Sequence, residues 1–136
     1  CQDHEGVRDK LTELIAEGVQ LVLPIAAVIE TGNHIAQAPE GNGRREVAER
    51  FVELLRHTAA GSAPWVLHSV PWDDRMLALL CDGPESVGAG FVDVAGTGML
   101  GAGDITILAE CELYAKRTAG VEVEVWTHDA KLAAYT

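Results

Sequence analysis

Basic residues are scarce in this chain: 10 Lys and Arg stand against 21 Asp and Glu in 136 residues, a formal net charge of −11. A protein that grips a nucleic-acid backbone through a broad basic patch needs clustered Lys and Arg to displace counterions, so the composition disfavours that mode of binding. Chemistry on a phosphodiester would need positive charge from elsewhere, such as a metal ion. Cysteine is scarce too. Cys1, Cys81 and Cys111 make no CxxC or Cys/His metal spacing, and an odd number closes no disulfide framework. A reducing, cytoplasmic setting is the expectation. No apolar run approaches the roughly 20 residues of a membrane span, and no charged-then-apolar signal segment opens the chain. Internal repeats, low-complexity tracts and an interdomain linker are also lacking. What is present is apolar material: 48% hydrophobic against 23% charged residues, enough to bury a core and too much for intrinsic disorder. The length suits one domain spanning residues 1–136.

Val7, Leu11, Leu14 and Ile15 recur at helical spacing in a stretch that stops at Gly18. Val19 to Leu23 is a short apolar run between Gly18 and Pro24 and reads as a buried strand. Pro24 suits the first turn of a second helix that runs through Ile25, Val28 and Ile29 to about His34. Pro39 to Gly43 is a loop by composition, and Val47, Phe51, Leu54 and Leu55 mark an amphipathic helix up to Gly61. Further elements are expected as a strand at Trp65 to Val70, a helix at about Asp73 to Leu80, a turn-rich stretch to Gly90 and a strand at Phe91 to Ala95. From about Asp104 to Thr118 a helix is apolar over most of its first two turns, so it should lie sandwiched inside the fold. Val121, Val123 and Val125 alternate with Glu122 and Glu124 before Trp126, an edge-type strand with one wet face. A last short helix starts near Asp129. Strands separated by helices predict an α/β fold, a three-layer α/β/α sandwich with a mostly parallel central sheet. Its site would lie beyond the carboxyl ends of the strands.

Three carboxylates fall at such positions. Glu30 stands in PIAAVIETGNH, a charge among almost exclusively apolar helix residues. Taken alone it reads as the helix's one wet position. Asp104 follows Gly101, Ala102 and Gly103 at the start of the apolar helix, where its bland role is an N-cap. Asp129, in WTHD, reads alone as a turn or cap residue. Parallel strand order brings the three together. Clustered carboxylates repel one another, and the uses of such a cluster are to share a proton or to hold a hard cation such as Mg²⁺ or Mn²⁺.

On these segments the sequence resembles the PIN domain family, metal-dependent ribonucleases that include VapC-type toxins of bacterial toxin–antitoxin pairs. The resemblance lies in LVLPIAAVIET with Glu30, GAGDITILAEC with Asp104 at a D-x-x-I-x-A helix start, and VEVWTHDAKL with Thr127 and Asp129 in a T-x-D-x-x-L element. Together these cover roughly residues 5 to 135. The resemblance implies hydrolysis of RNA phosphodiesters, with Mg²⁺ or Mn²⁺ held by Glu30, Asp104 and Asp129 activating a water and neutralising charge. Thr127 would orient a carboxylate or water. Asn33 and His34, one helical turn beyond Glu30, would touch substrate. His128 reads as an exposed turn residue. The family places its first metal-binding Asp at the end of an N-terminal strand. No such strand precedes Asp3 or Asp9, and the chain, which starts at Cys1, is expected to begin after that strand or to lack it.

Two rival readings remain. Gly96-Thr97-Gly98-Met99-Leu100-Gly101 is a GxGxxG, with Glu122 about 20 residues beyond, as a dinucleotide fingerprint asks. Asp104, however, would set an anion at the helix end that must hold pyrophosphate. The other rival is a non-catalytic PIN-like binding module. In it the apolar faces at Val7 to Ile15 and Val47 to Leu55 bury a homodimer contact or an antitoxin helix in place of ordinary core packing.

Overall fold

The computed structural model describes residues 4–39, 42–68, 71–118, 120–127 and 130–135. The order of elements is α1 (His4–Ala16), β1 (Leu21–Pro24), α2 (Ile25–Gln37), α3 (Asn42–Ala59), β2 (Trp65–His68), α4 (Asp74–Asp82), α5 (Phe91–Gly96), α6 (Ala102–Arg117) and α7 (Ala130–Ala133). The fold is mixed α/β and mostly helical, with β1 and β2 paired in parallel as one two-stranded sheet. The chain divides into two compact units, residues 1–23 with 39–68, and residues 24–38 with 69–136.

In the first unit, α3 packs on β2. The Trp65 indole N–H donates to Thr58 Oγ1 at 2.8 Å, which ties the strand to the helix. The outer face of α3 carries the i,i+4 pairs Arg45–Glu49 and Arg50–Glu46 at 3.2 and 2.7 Å. Such exposed pairs are worth about 0.3–0.5 kcal/mol each. The helix begins at Asn42, inside the stretch whose composition reads as a loop; Glu40 and Gly41 lie outside the described residues.

The second unit is built on α6, against which α2, α4 and α5 pack. Ile105, Thr106, Leu108, Ala109, Glu110 and Leu113 of α6 are buried, as its apolar first turns predict. One cluster joins Ile105 and Leu108 to Val94, Leu100 and Leu132; another joins Ala109 and Leu113 to Met76. The start of α4 is set by Asp73, whose carboxylate accepts from the N–H groups of Arg75 and Met76 at 3.1 Å. A cap of this kind is worth about 1 kcal/mol. The helix ends at Gly83, whose φ of +85° needs glycine. The chain then folds back so closely that a Cβ there would collide with the Ala89 carbonyl.

Two expected strands are absent from the described residues. Phe91 to Ala95 lies in the short helix α5: the N–H groups of Asp93 and Val94 bond back to the Gly90 carbonyl at 3.1 and 3.2 Å. A short apolar run satisfies both helical and extended geometry, and here local bonds win. The segment 121–126 has no regular secondary structure. Its period-2 pattern survives in part, because Val123 and Val125 are half-buried while Glu122, Glu124 and Trp126 are exposed. Val125 rests on the core without forming a ladder. Two further boundaries shift: Pro24 is the extended N-cap of α2, not its first residue, and α2 continues through Gly32 to Gln37.

Candidate functional site

Glu30 and Asp104 come from α2 and α6, which are packed together in the second unit. Glu30 does not occupy the wet position of its helix: it is half-buried, whereas neighbouring Ile29 is 55% exposed. The reason lies at Gly103. The carboxyl group of Glu30 lies against the Gly103 Cα, so a Cβ there would stand 2.7 Å from Glu30 Cγ and closer still to its carboxyl atoms. Only glycine leaves room for the acid at the first turn of α6.

Asp104 is the next residue and is also half-buried. It is the third residue of the helix, not its N-cap, which is Gly101. Its Oδ2 accepts from the Gly101 N–H at 3.0 Å, as an acid at this position does when it reaches back to the cap residue. Oδ1 makes no hydrogen bond among the described residues, nor does the Glu30 carboxyl group. The positive end of α6 favours both acids. The structure thus sets Glu30 against Gly103, the residue before Asp104, and each acid keeps an oxygen that makes no hydrogen bond among the described residues.

The third, Asp129, and its neighbour His128 lie outside the described residues, as does Asp3. Asp9 is exposed on α1, and Thr127 is half-buried at the end of the irregular segment. Asn33 and His34 are exposed on α2 one turn past Glu30. No group of three or more His, Cys, Asp or Glu able to hold a metal occurs among the described residues. Hard oxygen donors of this type suit Mg²⁺ or Mn²⁺. The glycine-rich segment 96–101 begins on the last residue of α5, so a helix stands where a dinucleotide fingerprint requires a strand before its first glycine.

Sequence reasoning missed Glu110. It is buried at 3% exposure, and its Oε1 accepts from the Ala26 N–H at 3.3 Å. Burial pushes its carboxyl pKa up, opposed by hydrogen bonds from the backbone of Ala26 and Ile25. A raised folded-state pKa makes ionisation costly to the fold. The group's contribution is fully present below the unfolded carboxyl pKa and is lost as pH rises through the folded value. Glu110→Gln is therefore expected to be at least as stable as wild type at neutral pH, with the difference closing towards pH ~4. Urea midpoints for both proteins across that range check this, and a difference that widens on acidification contradicts it. Cys111, the next residue, is half-buried, and burial together with Glu112 raises its thiol pKa, which makes it a poor nucleophile.

No helix among the described residues is long and apolar enough to cross a membrane. The chain matches no protein-family model, no curated protein and no solved structure.

Proposed function

We propose that the chain is a PIN-like, metal-dependent ribonuclease whose cation is held by Glu30 and Asp104 with Asp129. The observation that carries this reading is the seating of Glu30 on Gly103, beside Asp104. It sets Glu30 against the residue next to Asp104, both acids half-buried and with no cationic partner among the described residues, at one helix terminus. Carboxylate oxygens at one helix end are hard donors of the kind a divalent cation takes. A divalent cation there would supply a more acidic water and neutralise charge on a phosphodiester.

The chain's own residues then divide the work. Glu30 offers its whole carboxylate. Asp104 keeps Oδ2 on the Gly101 N–H and presents Oδ1, so its side chain is oriented before any ligand arrives. Thr127 steadies a carboxylate or water, and Asn33 and His34 reach the RNA from the exposed face of α2. With a surplus of 11 negative charges, the chain relies on the cation and on such polar contacts to hold RNA. The three-layer sandwich belongs to this reading, as do an antitoxin or a second copy as partner.

Millimolar Mg²⁺ or Mn²⁺ is expected to raise the Tm by binding linkage, by about 2.7 kcal/mol of stabilisation at one hundred times Kd. Asp104→Asn is expected to abolish the shift and RNA cleavage while leaving the metal-free Tm nearly unchanged, because the amide oxygen still accepts from Gly101. A wild-type protein indifferent to both ions overturns the nuclease reading. It would favour instead a non-catalytic binding module, for which the stripe Val47, Phe51, Leu54 and Leu55 of α3, 48% exposed at Val47 and half-buried at the other three, offers an apolar face.

A further inference from the structure

The N-terminus of α2 has no cap of its own. Pro24, at the N-cap position, is extended and has no side-chain acceptor, so the first N–H groups of the helix need partners from elsewhere. They find one 84 residues away in sequence: Glu110 takes the Ala26 N–H at 3.3 Å. The helix dipole adds a favourable field at the same place. A second contact joins the same two helices, Glu30 on Gly103. Residue 26 meets residue 110 and residue 30 meets residue 103, so the helices run in opposite senses where they touch. Two contacts separated along both axes fix a register.

We propose that Glu110 is a positioning residue for Glu30: its buried carboxylate sets where α2 docks along α6 and thereby places the Glu30 carboxyl on Gly103. This rests on the assignment of Glu30 as a cation ligand. Four residues of α2 separate Ala26 from Glu30, about 6 Å of helix, and seven residues of α6 separate Gly103 from Glu110, about 10 Å. A slip of α2 by one turn would strip the Ala26 N–H of its acceptor and carry Glu30 off the glycine. Among the described residues no other side chain accepts a hydrogen bond from the first N–H groups of α2. The requirement is for an acceptor at this spot, so an amide oxygen serves as well as a carboxylate.

The test compares Glu110→Gln, which keeps an acceptor, with Glu110→Leu and Glu110→Met, which fill the buried space without one. Mn²⁺ affinity is expected to stay within about threefold of wild type in Glu110→Gln. In the apolar variants it is expected to fall at least about tenfold, the scale of losing a residue that orients a ligand. Amide exchange at Ala26 should quicken only in the apolar variants, with circular dichroism confirming that they are folded. An apolar variant that is folded and binds Mn²⁺ as wild type does overturns the proposal. So does a Glu110→Gln protein that loses affinity while its Ala26 amide stays protected. Failure of wild type to bind Mn²⁺ sinks the cation reading alone. The anchoring is then judged by the Gly103 amide shift, which should move in Glu110→Leu and not in Glu110→Gln; equal movement in both overturns it.

Discussion

Gly103→Ala is expected to leave the protein folded and to cost at least about tenfold in Mn²⁺ affinity. Ordinarily a glycine within a helix is improved by alanine, by up to about 1 kcal/mol. Here the new methyl group would occupy the space of the Glu30 carboxyl group. What blocks it is a side chain, which can rotate away, and not backbone, so the clash is relieved by expelling Glu30 from the first turn of α6. The improved helix propensity and the poorer packing of the displaced acid then offset each other to within about 1 kcal/mol. On the proposed cation site the functional effect does not cancel, because a cation there would keep Asp104 and lose Glu30. Isothermal titration with Mn²⁺, alongside a urea unfolding curve, separates the two effects. Unchanged affinity in a folded Gly103→Ala protein would show that Glu30 takes no part in binding.

The largest expected loss of stability is at Ile105. Its side chain is fully buried, at 0% exposure, in the cluster with Val94, Leu100, Leu108 and Leu132. Ile105→Ala strips apolar atoms from that cluster and leaves a cavity that surrounding helices only partly refill, a cost of about 2–5 kcal/mol. That is a large share of the 5–15 kcal/mol typical of a whole domain. The urea midpoint should fall with little change in slope. A loss of under about 1 kcal/mol would mean that the cluster tolerates repacking far better than its burial implies. Asp104 is adjacent in sequence, so Mn²⁺ binding by the folded fraction of Ile105→Ala provides a useful control. It should remain near wild type.

The sequence foretold helices better than strands, and the reason is physical. Helical periodicity is repeated over several turns in α1 and α3 and within the long apolar stretch of α6, so the pattern averages out local ambiguity. Phe91 to Ala95 offers five residues only, and its identity turned on bonds to the Gly90 carbonyl that the residue types do not reveal. In 121–126 the alternation of faces was legible and its consequence for burial largely held at Val123 and Val125. A ladder needs a neighbour as well as a pattern, and none pairs with this segment among the described residues. At the site, Glu30 and Asp104 stood out because a charge in an apolar helix needs an explanation. That they meet at Gly103 was not legible, because nothing in a glycine's identity says which side chain will lie upon it. Glu110 was hidden further still, since its partners at the start of α2 are 84 residues away.

α6 carries Asp104 in its first turn, Glu110 in its middle, and residues of both core clusters between and beyond them. If the proposed ribonuclease reading holds, a screen for inactive variants would light up most of this helix without distinguishing broken chemistry from collapsed protein. The same arrangement limits optimisation: a substitution that improves packing along α6 shifts the platform on which two acids from different helices are aligned. Variation that tunes activity without endangering the scaffold is expected to accumulate elsewhere, on the exposed turn of α2 around Asn33 and His34, where side chains can change without moving α6.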